Sequence, residues 1–164
     1  RGYDSALAAG VGYVRAAGYE GFVTCDGDGQ HLVRDIVFAL ELVSEYPLIV
    51  GVRNPLARLS ERVFAQVASS STGIKDPLCG LKAYRLEFVP RNFTRYLSRS
   101  SGTGLALKLA SQGIQALNMS VSVQERASGS PRFGGSVRAN AKIFMSLLKS
   151  LPLLAQAMTK RVMD

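Results

Sequence analysis

Apolar residues along this chain form two kinds of run, some spaced like one face of a helix and others short and continuous. Residues 4–17 (DSALAAGVGYVRAA) predict a helix, with Asp4 or Ser5 as N-cap and Gly18 as terminator. Residues 21–25 (GFVTC) are β-branched and aromatic, as in a buried strand. Residues 32–46 predict a helix that Pro47 ends, with Val33, Ile36, Val37, Leu40 and Val43 on one face. A second buried strand follows at 48–52 (LIVGV). Strand, helix and strand in this order predict a βαβ unit with parallel pairing and a right-handed connection.

Further on, the pattern predicts a helix over 60–71, a loop over 75–80 (KDPLCG) and a strand over 81–85. A helix over 104–112 and an alternating strand over 115–125 come next, then a basic loop over 126–136. Residues 137–151 predict a helix with Arg138, Lys142 and Lys149 near one face, and Ala141, Phe144, Met145 and Leu148 largely on another. Pro152 should end it, leaving a short apolar tail over 153–163. The expected class is α/β: a mixed, mostly parallel sheet flanked by helices, with amphipathic helices at the C-terminus. The expected units are residues 1–136 and a helical segment over 137–164.

Hydrophobic residues make up 47% of the 164 and charged residues 20%, enough apolar material for a packed core and too much for disorder. Residues 2–15 lack the charged start and apolar run of a secretory signal, and no run of about 18 apolar residues predicts a membrane span. Cys25 and Cys79 are expected to be reduced. The net charge of +8 is unevenly placed: residues 1–84 hold 8 Lys/Arg and 9 Asp/Glu, residues 85–164 hold 12 and 3. That asymmetry suggests an anionic partner for the second half. Nucleic acid is not expected, because no aromatics interleave with the basic positions.

The chemistry is expected at Asp26-Gly27-Asp28, directly after a buried strand. Ligands of α/β sheets bind beyond the carboxyl ends of strands, and two acids one residue apart repel unless a cation lies between them. A hard divalent ion with positions left for phosphate oxygens resolves that repulsion, and Gln30 adds a neutral oxygen. A solvated acidic turn is the alternative. A calcium loop of EF-hand type is excluded, since it needs Gly and Glu where this chain has His31 and Val37. His31, the single histidine, either orients a phosphate, acts as a ligand or caps the next helix.

Four motifs in order, D-G-D-G-Q-H (26–31), G-V-R (51–53), D-P-L-C-G-L-K-A (76–83) and R-A-S-G-S-P-R (126–132), resemble the family-2 glycosyltransferases. The likeness is greatest to the branch that loads mannose or glucose onto dolichyl or other polyprenyl phosphates. Family members carry Ser and Lys in the last motif where this chain has Pro131 and Arg132. They also begin with an acidic, nucleotide-binding segment that does not precede Arg1 here, so the chain is expected to be a partial domain.

The resemblance implies a GT-A (Rossmann-like) fold and an inverting transfer from a GDP- or UDP-sugar to a polyprenyl phosphate. Asp26, Asp28 and Gln30 would hold Mg²⁺ or Mn²⁺, with Asp28 the principal catalytic carboxylate. Arg53, Arg126 and Arg132, with Gly129 and His31, would position the phosphates. Asp76 either orients the acceptor, acts as base toward a hydroxyl acceptor or caps the turn before Pro77. The setting would be the cytoplasmic face of a membrane, with 137–163 lying in the interface or packed against protein. Two other readings are a family-2 transferase with a sugar-hydroxyl acceptor and a catalytically silent partner subunit. The processive synthases are disfavoured, because they carry a tryptophan motif and this chain has no Trp.

Overall fold

A computed structural model describes residues 2–96, 102–124 and 136–163. Helix α1 (Tyr3–Ala16) precedes strand β1 (Gly21–Thr24), helix α2 (Val33–Leu42) and strand β2 (Leu48–Arg53). Helix α3 (Leu59–Thr72) and strand β3 (Lys82–Arg85) lead through two short 3₁₀ turns to helix α4 (Thr103–Ser111). Strand β4 (Ala116–Val121) and helix α5 (Ser136–Met163) complete the chain.

The sheet order is β1-β3-β2-β4, and β3 runs antiparallel to both of its neighbours. Since β2 and β4 pair in parallel, three of the four strands point the same way. The expected mixed, mostly parallel sheet is present in that sense. The expected βαβ unit is corrected: β1 and β2 share a direction, but β3 stands between them and takes both sets of backbone hydrogen bonds. Sequence order does not reveal such an insertion, because β3 arrives some thirty positions after β2.

Leu48, Ile49, Val50 and Gly51 are all buried, as the central position of β2 requires. Leu48 and Val50 join Phe22 and Tyr84 on one face, packed with residues of α1, α3, α4 and α5. The cross-strand pair Phe22 and Tyr84 stacks with centroids 5.1 Å apart. Ile49 points the other way, into a smaller cluster with Leu81, Ala83, Met119 and Val121 under Ala39 of α2.

This lopsided covering goes with departures from the periodicity in α2 and α5. Helix α2 covers its face alone and buries Ala39, with Ile36, Leu42 and Val43 half in, while Val33, Val37 and Leu40 stay exposed. The five residues expected to share one face are thus divided, Ile36 and Val43 packed against the sheet and Val33, Val37 and Leu40 outside. Helix α5 runs unbroken through Pro152, at the loss of one backbone hydrogen bond, so there is one C-terminal helix and no separate tail. It buries Ala139, Ile143, Leu147, Leu154 and Ala157, and leaves Phe144, Met145 and Leu148 outside. At the other end, α1 starts at Tyr3 with Gly2 as N-cap and no side-chain cap, so Asp4 lies in the first turn instead. Among the described residues no helix is long and apolar enough to cross a membrane. Cys25 is exposed, Cys79 is buried, and both are free thiols.

Candidate functional site

Strand directions bring the motif residues to one end of the sheet. The carboxyl ends of β1, β2 and β4 lie there together with the amino end of β3. Asp26 follows β1, Arg53 closes β2, and the loop carrying Asp76 to Gly80 enters β3. The Asp26–His31 segment then reaches across this end: His31 forms a bridge with Val123, beyond β4. The Gln124 amide donates to the Gln30 carbonyl (2.9 Å), and the Gln30 side-chain amide donates to the Gln124 carbonyl (3.2 Å). Asp35 accepts from the Ser122 amide (3.1 Å), tying the start of α2 to the same edge. Gly29 takes a left-handed φ of 76° within the loop, and Asp28 accepts from the Gln30 amide (3.2 Å).

Asp26 rests on the backbone of the second loop. A Cβ added at Gly80 would land on the Asp26 carboxylate, with Cγ at 2.6 Å, so a larger residue there would displace the Asp26 side chain. Thr24 donates its hydroxyl toward the Gly80 carbonyl (3.1 Å), closing the same seam. The Asp76 loop is held from outside: Thr103 donates to the Pro77 carbonyl (3.1 Å), and Asn118 accepts from the Lys75 amide (2.8 Å) and donates to the Gly73 carbonyl (2.9 Å).

Arg53 and Asp76 meet directly. The guanidinium donates from Nε to Asp76 Oδ2 (2.7 Å) and from Nη2 to Oδ1 (3.0 Å), and the Arg53 amide adds a third bond to Oδ2 (3.2 Å). Glu61 stands 3.7 Å from the same Nη2 and is itself bound by Arg58 at 3.1 Å. Burial opposes the charge on Arg53, but the hydrogen bond and charge of Asp76, with Glu61 behind, raise its pKa well above the ordinary value. Asp76 is thus a nearly buried carboxylate with both oxygens engaged by one arginine.

Around this pair the electrostatics are mixed. Burial lowers the His31 pKa, against the pull of Asp26 and Asp28, and its Nδ1 is buried without a hydrogen-bond partner among the described residues. Both carboxylates also act on the Cys25 thiol, raised first by burial and then by their charge. Asp26 and Asp28 therefore both lie within electrostatic reach of His31 and Cys25.

Two groups at this end were not singled out from the sequence. Lys82 is fully buried, donates to the Cys79 carbonyl, and lies within electrostatic reach of Asp76 and Asp26. A lysine between Leu81 and Ala83 in an apolar strand was the available signal. The Tyr3 hydroxyl, its pKa raised chiefly by burial, lies within electrostatic reach of Asp26, and no local pattern marks it. Arg126, Gly129 and Arg132 lie outside the described residues.

Among the described residues no group of three or more His, Cys, Asp or Glu side chains is arranged to hold a metal. Asp26, Asp28 and Gln30 carry hard oxygen donors of the kind that Mg²⁺ and Mn²⁺ take. A cavity of about 700 Å³ lies at the opposite end of the sheet, lined by Arg15, Glu20, Arg85 and Arg91 among others, away from this chemistry.

No protein-family model and no curated protein matches the chain. Among solved structures, glucosyl-3-phosphoglycerate synthase from Mycobacterium tuberculosis, in complex with phosphoglyceric acid, is similar over 87% of this chain at 17% identity, with a TM-score of 0.50. The chain spans 53% of that synthase. At this identity the likeness is one of architecture alone: a mixed sheet flanked by helices.

Proposed function

We propose that this chain is the metal-binding and acceptor-side part of an inverting glycosyltransferase that moves a sugar from a nucleotide sugar to a polyprenyl phosphate. The observation that carries this reading is the position of Asp26 and Asp28. They lie on the loop beyond the carboxyl end of β1, at the same end of the sheet as the Arg53–Asp76 pair. The likeness to a glucosyl-transferring synthase is one of fold and supports the reaction class only.

Asp26, Asp28 and Gln30 would hold Mg²⁺ or Mn²⁺. The ion would offset charge that builds on the departing diphosphate. Gly80 fixes Asp26 by letting its carboxylate rest on backbone. Asp76 acts through Arg53, fixing the guanidinium with two hydrogen bonds so that its remaining exposed edge presents a positive charge to phosphate oxygens. His31 lies on the same loop, and with its Nδ1 buried the other ring nitrogen would be the one to meet these oxygens. A phosphate acceptor is already anionic and needs no strong base, only cationic positioning. That agrees with an Asp76 whose oxygens are engaged. Arg126 and Arg132, with Gly129 between them, supply further positive charge in the basic loop. A polyprenyl acceptor places the reaction at a membrane surface, on its cytoplasmic face.

Calorimetry of the chain with GDP- and UDP-sugars, with and without Mn²⁺, tests the central claim. We expect metal-dependent binding that Asp28→Asn weakens by at least about tenfold, the loss of one charged ligand in a small shell. No metal-dependent binding by the parent chain would overturn the proposal and leave a silent partner subunit. Transfer assays then compare polyprenyl phosphate with a sugar-hydroxyl acceptor and a small phosphorylated acid.

A further inference from the structure

Helix α5 has two apolar faces, and only one of them is used by the fold. The inner face, with Ile143, Leu147 and Leu154, enters the main core. The outer face carries Val137, Phe144, Met145, Leu148, Leu151 and Met158, each at least 42% exposed. At 100° per residue these six fall within an arc of roughly 140° on the side away from the core. Arg138, Lys142 and Lys149 run along one margin of that arc, all exposed. No acidic residue occurs anywhere in α5.

A second exposed apolar group, on α2, provides the contrast. Val33, Val37, Phe38 and Leu40 are exposed there, but Asp35 and Glu41 share the helix. Charge separates the two surfaces: α5 complements an anionic plane and α2 does not. An apolar stripe bordered by lysine and arginine suits a headgroup region, where methylene groups enter the acyl boundary and cations meet phosphates. Asn140 of α5 also bonds Ser60 (2.5 Å), so the first turn of α5 lies beside the start of α3.

We propose that the outer face of α5 docks on an anionic lipid surface, its apolar stripe entering the headgroup layer while Arg138, Lys142 and Lys149 pair with lipid phosphates. This docking rests on α5 alone and holds whether or not the acceptor is a lipid.

Flotation of the purified chain with phosphatidylcholine vesicles, with and without phosphatidylglycerol, is the test. We expect binding that requires the anionic lipid and weakens with salt. Leu148→Glu should cut partitioning on the order of tenfold or more, and Lys149→Ala about fivefold. Phe38→Glu on α2 should change nothing. Because the chain contains no Trp, Phe144→Trp gives a clean reporter whose emission should shift to the blue on anionic vesicles. That reporter keeps the parent surface, so it decides the matter even if Leu148→Glu folds poorly. No vesicle binding at either composition overturns the proposal, as does equal loss from Phe38→Glu. A chain dimer abolished by Leu148→Glu, without lipid binding, would overturn it in favour of self-association.

Discussion

Asp76 illustrates how one carboxylate serves a fold and a site at once. With its side chain 2% exposed and Arg53 25% exposed, the pair is largely removed from water, and the carboxylate is stable there only because its partner holds both oxygens. Removing one member strands the other. Asp76→Ala should therefore cost about 3–5 kcal/mol by urea unfolding, whereas an exposed pair such as Arg85–Glu87 should cost under about 1 kcal/mol. Similar losses for the two would show that Arg53 escapes to solvent. Lys82 poses the opposite case. Burial is the largest influence on its amine and lowers the pKa from 10.5, against the pull of Cys79, Asp76 and Asp26. Its folded value lies below its unfolded one. The contribution to stability is therefore full above 10.5 and lost as pH falls through the lowered value. Burial raises Cys79 from 9.0, which removes stability at alkaline pH, so only a difference isolates the amine. As pH rises toward 10.5, the parent should gain urea resistance relative to Lys82→Met. Parallel curves for the two would mean the amine is hydrated.

At the scale of elements, the rotation of a helix about its own axis decides which residues matter. Leu147 and Leu148 are sequence neighbours with like chemistry, but one is 6% exposed and the other 42%. Leu147→Ala should destabilise by about 2–4 kcal/mol through lost burial and a residual cavity. Leu148→Ala should stay within about 1 kcal/mol, since a half-exposed side chain has less to lose. Thermal unfolding of both variants reads the orientation of α5 directly. Equal losses would mean that the outer face is also covered. The same reasoning applies to α2, where Val33, Val37 and Leu40 share the periodicity of Ile36 and Val43 but stay exposed.

For the whole molecule, α5 is a structural member of the core and more than an appendage. Ile143, Leu147 and Leu154 belong to the cluster that contains Leu48, Phe64 and Leu105. Deleting residues 136–164 exposes that cluster along α3 and α4. The shortened chain should lose its cooperative thermal transition, because a small core leaves little margin of stability. A sharp transition in the shortened chain, near that of the parent, would show that residues 1–135 fold by themselves.

The sequence alone determined that this is an α/β chain, and it located the four described strands and helices α1 to α4 to within a few residues, while the helix expected over 137–151 runs on to Met163. Short β-branched runs and helical spacing are local properties, written in adjacent positions. It also picked out Asp26, Asp28, Gln30, His31, Arg53 and Asp76 from residue type and motif order, and the structure brings these to one end of the sheet. Tertiary structure decided what depends on contacts distant in the chain. It inserted β3 between β1 and β2, turned α2 and α5 on their axes, and carried α5 through Pro152. It also joined Arg53 to Asp76 across 23 positions and buried Lys82 beside them. Apolar spacing states that a helix has a buried side. Which of two apolar sides is buried is settled only by what packs against it.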